Sequence, residues 1–289
     1  RLTDVTGVQT CALPILDAGA RAAPCPFIHS SIHPSTHPLV RSAAFTLIEM
    51  LVVIAIISIL MLLIAPMARR GVDGARRSVC ASNLRQVQAA FTMYLAEHEG
   101  RFFPYREDVP GGVLWYWGFE PGGGGAEGAR QLDKSRARLA PYFAQTGGIE
   151  ICPALPYRAP YFKRKFGIPS YGYGINGYML SGLPGMTRMG VHSIDGLTHP
   201  GRTITWGDCI QINTWQAPAS GSNPMLEEWY VLDNMPPPHF HFRHGRRANL
   251  AMADGSVNGF EPHSLDPRCD GRAGYLEPPR QETWLLTRK

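Results

Sequence analysis

The sequence lacks the short motifs that mark the common classes of catalytic and cofactor-binding site. None of its six cysteines stands in a Cys-x-x-Cys pair or another zinc spacing, which argues against a metal cluster. The glycine-rich residues 170–178 have no Lys-Ser or Lys-Thr ending, so they do not form a phosphate-binding loop. No serine stands in a Gly-x-Ser-x-Gly elbow. We therefore expect a protein that is not an enzyme and that uses no cofactor.

A strong charge of either sign is also missing. The chain has 28 Lys and Arg against 23 Asp and Glu, and its net charge is +5. Most of the basic residues are scattered arginines, with no basic stripe interleaved with aromatic residues. The excess of positive charge therefore indicates a solvated surface, and no nucleic-acid partner is expected.

The first 44 residues divide into an adaptor-like segment and a leader. Residues 1–15 resemble translated sequencing-adaptor sequence, so we expect them to be non-native. Residues 16–44 are rich in proline, histidine and serine, a composition that cannot build a core and that predicts a disordered leader. The native start is expected just upstream of Arg41.

A long apolar run follows this leader. Between Met50 and Ala65 the one polar residue is Ser58, and the whole segment of about 20 residues is long enough to cross a bilayer as a helix. Glu49 interrupts it near its start, and an ionisable group inside a membrane segment is costly unless it has a partner. On these residues alone, two interpretations fit equally well. One is a membrane span in which Glu49 has a functional role, and the other is a secretory signal peptide or a plain anchor.

Residues 44–54 (AFTLIEMLVVI) resemble the class III signal segment of type IV pilins and type II secretion pseudopilins. The resemblance implies that a prepilin peptidase cuts between Ala44 and Phe45 and that the new N-terminus is methylated. It also implies that Glu49 meets the N-terminal amine of a neighbouring subunit during assembly, where two buried charges compensate each other. Pro66 matches a helix-kinking proline of the family. The family usually has glycine before the cut, whereas this chain has Ala44.

Beyond the proline, the sequence predicts that the helix resumes over residues 67–99. Apolar residues recur there at steps of three and four, which predicts one buried face. The residues of this predicted face are Cys80, Leu84, Val87, Phe91 and Tyr94. The residues expected off this face are Asn83, Arg85, Gln86 and Gln88. Two glycines predict a bend or partial melting over residues 66–75, and Gly100 predicts a helix end near Glu99.

Residues 100–289 are expected to form a globular α+β domain. Residues 104–130 are rich in glycine and proline and predict a loop, with its Trp-Tyr-Trp triplet buried beneath it. A sugar- or partner-binding role for this triplet is the alternative. Residues 135–143 predict a short helix, and residues 202–208 predict a β-strand that ends at a carboxylate.

An Asp254-Gly255 step separates two short runs of strand-forming residues and predicts a β-hairpin within residues 244–260. We expect His244 to hydrogen-bond Asp254 across the ladder of this hairpin. The H-x9-DG spacing of the two residues resembles the C-terminal element of a bacterial subgroup of pilin-like proteins. The resemblance supports membership of that subgroup and assigns no chemistry to the hairpin.

The histidines and cysteines leave further possibilities open. Although no metal is expected, the candidate ligands are His239, His241 and His244 with Asp254 or Asp208. The cysteines that follow the signal, and that an oxidising compartment would join in one or two disulfides, are Cys80, Cys152, Cys209 and Cys269. Four cysteines allow three pairings, and the sequence does not choose among them. Cys209 beside Asp208 has the residue types of a thiol nucleophile, but no catalytic signature surrounds it.

The arginines around the apolar run conflict with a pilin-like topology. Arg41 is nearly alone before the run, and the arginines that follow it are Arg69, Arg70, Arg76, Arg77 and Arg85. The positive-inside rule, taken alone, would place the C-terminal domain in the cytoplasm. The resemblance implies the opposite orientation, and we follow it because its match is specific.

The sequence thus predicts an α+β fold, in which a long N-terminal helix spans the membrane over residues 45–66 and then packs on a mainly antiparallel β-sheet. The resemblance implies a structural subunit of a type IV pilus or a type II secretion pseudopilus. Such a subunit lies in the bacterial inner membrane, with its C-terminal domain periplasmic or in an extracytoplasmic filament. Its expected partners are the membrane, a prepilin peptidase and other pilin-like subunits. The alternatives are a signal-anchored extracytoplasmic ligand-binding domain that does not polymerise and a membrane-anchored enzyme.

Overall fold

The computed structural model describes residues 45–122, 124–146, 149–180, 193–233 and 236–276. The chain divides after Ile54 into two compact units. The sequence predictions for residues 1–15 and 16–44, including the Ala44 side of the proposed cut, lie outside the described residues.

Helix α1 spans Leu47–Glu97, a length of 51 residues, and includes Pro66. Residues 66–75 are helical, so the predicted partial melting there is wrong. A glycine costs only about 1 kcal/mol relative to alanine inside a helix, too little to interrupt one that propagates on both sides. The helix ends close to the predicted position, where Gly100 has a φ of +71° and its amide donates to the Leu95 carbonyl at 2.7 Å.

The first part of α1 presents its apolar side chains to the outside. Every large hydrophobic side chain from Leu47 to Met67 is exposed, and Leu47 itself is 83% exposed. The helix is long and apolar enough to cross a membrane. An apolar surface of this extent requires lipid or other helices to cover it.

The last third of α1 packs against the globular part of the chain. The predicted face from Cys80 to Tyr94 is buried, as expected. Asn83 and Gln88, which were expected off this face, are buried as well. Both have found partners, since Asn83 Nδ2 donates to Tyr173 Oη at 3.1 Å and Gln88 Oε1 accepts from Thr205 Oγ1 at 2.5 Å. Satisfied hydrogen bonds allow polar side chains to be buried.

The described residues after α1 form fourteen short strands, a second helix α2 (Ala140–Thr146) and four 3-10 turns. The strands are β1 Arg106–Val109, β2 Gly112–Trp115, β3 Gly118–Pro121, β4 Phe162–Lys163, β5 Tyr173–Asn176, β6 Ile204–Asp208, β7 Gln211–Asn213, β8 Met225–Glu227, β9 Val231–Leu232, β10 Phe240–His241, β11 Ala248–Met252, β12 Val257–Phe260, β13 Ser264–Leu265 and β14 Ala273–Tyr275. The 3-10 turns are Lys134–Arg136, Gly177–Met179, Ile194–Gly196 and Pro200–Arg202.

The largest sheet has five strands in the order β12-β11-β6-β5-β9. Its neighbours pair antiparallel except β5 and β9, which are parallel. Three smaller sheets have the orders β1-β2-β3, β10-β14-β13 and β4-β8-β7. The core joins α1 to the large sheet, where the Phe91 and Trp206 rings meet edge to face with centroids 5.6 Å apart. The expected α+β architecture with a mainly antiparallel sheet is confirmed.

The loop predicted for residues 104–130 is largely wrong, because β1, β2 and β3 form an antiparallel meander there. Pro110 and Gly111 occupy the tight turn between β1 and β2, where Gly111 has a φ of +88°. Tyr116 and Trp117 are buried, as the preferred interpretation of the aromatic triplet expected, whereas Trp115 is only partly buried. The helix predicted for residues 135–143 is displaced, since α2 begins only at Ala140 and is preceded by a 3-10 turn.

Two further predictions match the structure closely. The strand predicted for residues 202–208 is β6, which ends at the predicted carboxylate of Asp208. The predicted hairpin is formed by β11 and β12, whose antiparallel register pairs Ala248 with Phe260. Gly255 lies in its turn with a φ of +90°, which the absence of a Cβ permits.

Candidate functional site

The N-terminal end of α1 is closed by a reciprocal pair of hydrogen bonds between Thr46 and Glu49. The Glu49 amide donates to Thr46 Oγ1 at 3.2 Å, and the Thr46 amide donates to Glu49 Oε2 at 2.7 Å. This arrangement is a capping box, which satisfies two backbone donors that the helix leaves unpaired. Thr46 is not among the candidate site residues named from the sequence. A Thr-x-x-Glu pattern before an apolar run is nevertheless the sequence signal for a capping box.

Four side chains with metal-binding atoms meet inside the globular part. Cys80 comes from α1, Cys152 from the segment after α2, Asp208 from the end of β6 and His244 from the turn before β11. All four are buried, and their sulfur, oxygen and nitrogen atoms lie within 4.8 Å of one another. We call these four residues the buried cluster.

The contacts within the buried cluster form a chain. The Cys80 thiol donates to Asp208 Oδ1 at 3.2 Å, and Asp208 Oδ2 lies 3.4 Å from His244 Nε2. The same nitrogen lies 3.5 Å from Cys152 Sγ. Asp208 therefore links the helix to the turn before β11, and His244 links that turn to Cys152.

Arg243 is a further buried residue that contacts the buried cluster. Its guanidinium donates to Asp208 Oδ1 at 2.5 Å, to Cys152 Sγ at 3.1 Å and to the carbonyl of Gly172 at 2.6 Å. The Asn249 amide adds a bond to Asp208 Oδ2 at 2.7 Å. Since Arg243 is buried, these acceptors replace the water that a guanidinium would otherwise bind.

The protonation of the buried cluster follows from these contacts. Burial raises the pKa of the Cys80 thiol well above its usual value. Burial acts on Cys152 in the same direction, but the hydrogen bond from Cys80 and the charge of Arg243 lower the pKa of Cys152 to about 4. Burial lowers the pKa of His244, yet its hydrogen bonds to Asp208 and Cys152 raise it to about 9. Burial raises the Asp208 pKa, and Arg243 reverses this to a net lowering. Two buried anions thus face two buried cations.

Burial limits the reactions in which the buried cluster can take part. A thiolate next to an imidazolium is the arrangement of a cysteine nucleophile. Cys152 is only 1% exposed, so its sulfur does not face a substrate in this structure. The cluster is suited to holding elements together or to binding an ion.

The predicted metal ligands separate into different contacts. His239 Nδ1 bonds Asp233, and His241 Nε2 bonds Asp270 at 3.1 Å. Asp254 accepts from the Ser256 amide at 2.9 Å within the hairpin turn. The candidate ligand set of His239, His241, His244 and Asp254 is therefore wrong. His239, His241 and Asp254 each bond to a polar group other than His244. The bond predicted between His244 and Asp254 is also wrong, and the second candidate carboxylate, Asp208, meets His244 instead.

The four described cysteines are not bonded to one another in this structure. Cys80 and Cys152 are the pair that the fold brings together. Cys209 Sγ contacts the Val231 carbonyl at 3.4 Å, and burial raises the pKa of its thiol. Cys269 Sγ contacts the Pro224 carbonyl at 3.4 Å. The disulfides stay a prediction. Among the described cysteines, Cys80 and Cys152 are the pair close enough for one, and a disulfide between them would exclude the binding of a metal ion by the same two sulfur atoms.

From the sequence, Asp208 and His244 are grouped as candidate metal ligands, and Cys80 and Cys152 as candidate disulfide partners. Nothing in the sequence indicates that all four residues meet or that Arg243 contacts them. No local pattern signals the contacts of Arg243, because the acceptors of its guanidinium belong to segments distant in sequence.

An exposed apolar helix that is long enough to cross a membrane, followed by a globular α+β part, fits a protein with a single-pass membrane anchor. Residues 39–65 match the prokaryotic N-terminal methylation motif. The chain is also 40% identical over 57 residues to the ComG operon protein 3 homolog of Bacillus licheniformis. That alignment covers 20% of this chain and 59% of the length of that relative. No solved structure matches the chain. The motif, the relative and the fold together support a resemblance to type IV pilin-like proteins.

Proposed function

We propose that this protein is a structural subunit of a type IV pilus or a type II secretion pseudopilus, and that it is not an enzyme. A prepilin peptidase would mature it by cutting between Ala44 and Phe45. The observation that carries the proposal is the exposed apolar part of α1, most of which lies within the methylation motif matched at residues 39–65.

The exposed apolar surface supports assembly through helices. Before assembly, lipid covers an apolar helix of this length, and the protein sits in the inner membrane with a single span. In a filament, the same surfaces of neighbouring subunits cover one another by close packing. In the described globular part, by contrast, most large hydrophobic side chains form a core with the last third of α1.

Glu49 is the residue that would make the specific contact between neighbouring subunits. Its carboxylate accepts from both the amide and the hydroxyl of Thr46, at 2.7 and 2.8 Å. Cleavage before Phe45 creates an ammonium group, which is a stronger partner for a carboxylate in an apolar environment than a neutral donor. Glu49 of one subunit and the amine of the next would then compensate each other within the packed helices.

Replacement of Glu49 by alanine tests the proposal in cells that contain the peptidase and the assembly machinery. We expect the Glu49→Ala chain to begin at Phe45, like the unaltered protein, but to be missing from the sheared filament fraction. The matched control is Asp73→Ala, which removes an exposed carboxylate from the same helix and should leave both maturation and assembly intact. Assembly of the Glu49→Ala chain at the normal level would contradict the role of Glu49. Absence of the unaltered chain from any filament would favour an anchored domain that does not polymerise.

A further inference from the structure

We propose that Cys80, Cys152, Asp208 and His244 form a structural binding site for a zinc-class divalent cation. These four residues are the buried cluster, and their ligand atoms lie within 4.8 Å of one another. They come from α1, the segment after α2, β6 and the turn before β11. A bound cation would therefore cross-link the N-terminal helix to the globular part.

The spacing of the ligand atoms fits tetrahedral coordination. Bonds of about 2.3 Å to sulfur and about 2.0–2.2 Å to nitrogen and oxygen separate neighbouring ligands of a tetrahedral zinc ion by about 3.3–3.8 Å. The observed separations are 3.2 Å between Cys80 Sγ and Asp208 Oδ1, 3.4 Å between Asp208 Oδ2 and His244 Nε2, and 3.5 Å between His244 Nε2 and Cys152 Sγ. With one ligand atom taken from each residue, every separation within the cluster is at most 4.8 Å, so side-chain shifts that shorten the longest of them would close a four-ligand shell.

The ligand types select the class of cation. Thiolate and imidazole ligands favour zinc and related transition metals, whereas magnesium and calcium prefer shells of oxygen atoms. Four protein ligands leave no open position for a water or substrate, which is typical of structural sites and not of catalytic ones. Burial of all four residues agrees with this assignment.

The charges of the site also balance. Two thiolates and one carboxylate carry three negative charges, and a divalent cation with the Arg243 guanidinium carries three positive ones. The buried interior is then neutral as a whole, which limits the cost of burial. Binding would displace the thiol proton of Cys80 and the imidazolium proton of His244 into solvent.

Arg243 and Asn249 provide outer contacts of the kind that hold metal ligands in place. Arg243 donates to Cys152 Sγ at 3.1 Å, and the Asn249 amide donates to Asp208 Oδ2 at 2.7 Å. Such contacts orient ligands before the ion binds and tune its affinity. The inference does not depend on the proposed filament function, because the site lies wholly within the second compact unit.

Metal analysis of the full chain, purified in detergent under reducing conditions, tests this site. We expect about one zinc ion per chain after zinc loading and removal of loosely bound metal. Cys152→Ser should weaken zinc binding at least about tenfold in competition with a chromophoric chelator. The matched control Cys269→Ser replaces a partly exposed cysteine outside the cluster and should bind zinc like the unaltered chain. Equal zinc affinity of the Cys152→Ser and unaltered chains would overturn the proposal.

Cobalt provides a second measurement that does not depend on how well a variant folds. The unaltered chain loaded with Co²⁺ should show the intense visible bands of tetrahedral cobalt and a thiolate-to-cobalt charge-transfer band. Removal of zinc should also lower the melting temperature by about 5–10 °C. Zinc below about 0.1 equivalents per chain together with no tetrahedral cobalt bands would overturn the proposal. A Cys80–Cys152 disulfide in protein isolated from membranes without reductant would also overturn it, because that bond consumes both thiolates.

Discussion

The Arg243 guanidinium donates to Asp208 Oδ1 at 2.5 Å, and both side chains are completely buried. Their attraction offsets the cost of removing two charges from water only because further bonds satisfy the remaining donors and acceptors. Arg243 also donates to the Gly172 carbonyl at 2.6 Å and to the Cys209 carbonyl at 3.4 Å. This ion pair therefore connects β6, the segment before β5 and the turn before β11.

Removal of the guanidinium should be strongly destabilising. We expect Arg243→Leu to lower the free energy of unfolding by about 3–5 kcal/mol, because it leaves the Asp208 carboxylate buried without its main partner. Chemical denaturation of the full chain in detergent measures this change. The matched control is Arg247→Leu, whose exposed pair with Glu261 should contribute less than about 1 kcal/mol. An equal decrease in the free energy of unfolding for the two variants would contradict this prediction, because the buried ion pair would then contribute no more than the exposed one.

Truncation of Phe91 should weaken the packing of α1 on the large sheet. Phe91 is fully buried and meets both Trp206 and Phe103 with ring centroids 5.6 Å away. We expect Phe91→Ala to lower the free energy of unfolding by about 3–5 kcal/mol through lost burial and the cavity that remains. Val79→Ala, on an exposed position of the same helix, is the control and should change stability by less than about 0.5 kcal/mol. A small effect at Phe91 would mean that this contact is not part of the folded core.

Stability should depend on pH through Glu228. Burial raises the pKa of this carboxyl above its ordinary 4.5, and bonds from Ser170 offset only part of the effect. A raised folded-state pKa favours the folded state below pH 4.5, and this contribution is lost as the pH rises through the folded-state pKa. We expect Glu228→Gln, which removes the charge, to gain stability relative to the unaltered chain as the pH rises above 4.5. Parallel stability curves for the two proteins would contradict this prediction.

Membrane orientation is a separate prediction. The five arginines that follow the apolar run favour a cytoplasmic C-terminal domain by the positive-inside rule, whereas the prepilin-type segment implies a periplasmic one. We expect an alkaline phosphatase fused after the last residue to be active and a β-galactosidase at the same place to be inactive. The reverse pattern would mean that the arginines determine the orientation, and it would rule out a periplasmic subunit.

Much of the fold could be predicted because its signals are long and periodic. The apolar run and the face that begins at Cys80 keep a helical pattern over many turns, and Asp254-Gly255 marks its hairpin within a few residues. The strands within residues 104–130 were missed because glycine and proline in their turns outweighed strands of only four residues each. Sequence composition does not distinguish a loop from a meander with such short strands.

The buried cluster could not be predicted as a unit. Cys80 and Asp208 are 128 residues apart in sequence, and Cys152 and His244 are 92 apart. No local spacing links residues that only the packing of α1 on the large sheet brings together. His239 and His241 were candidate ligands because they are close to His244 in sequence, but in the structure they bond to other carboxylates.

The N-terminus of the mature protein tests the central claim most directly. Mass spectrometry of the chain, isolated from membranes of cells that contain a prepilin peptidase, identifies the first residue and any methyl group on it. A pilin-like subunit predicts a chain that begins at Phe45 with a methylated amine, and Ala44→Gly should increase the cleaved fraction. An uncleaved chain, or one that begins at another residue, would contradict the proposed maturation and with it the role of Glu49 in assembly.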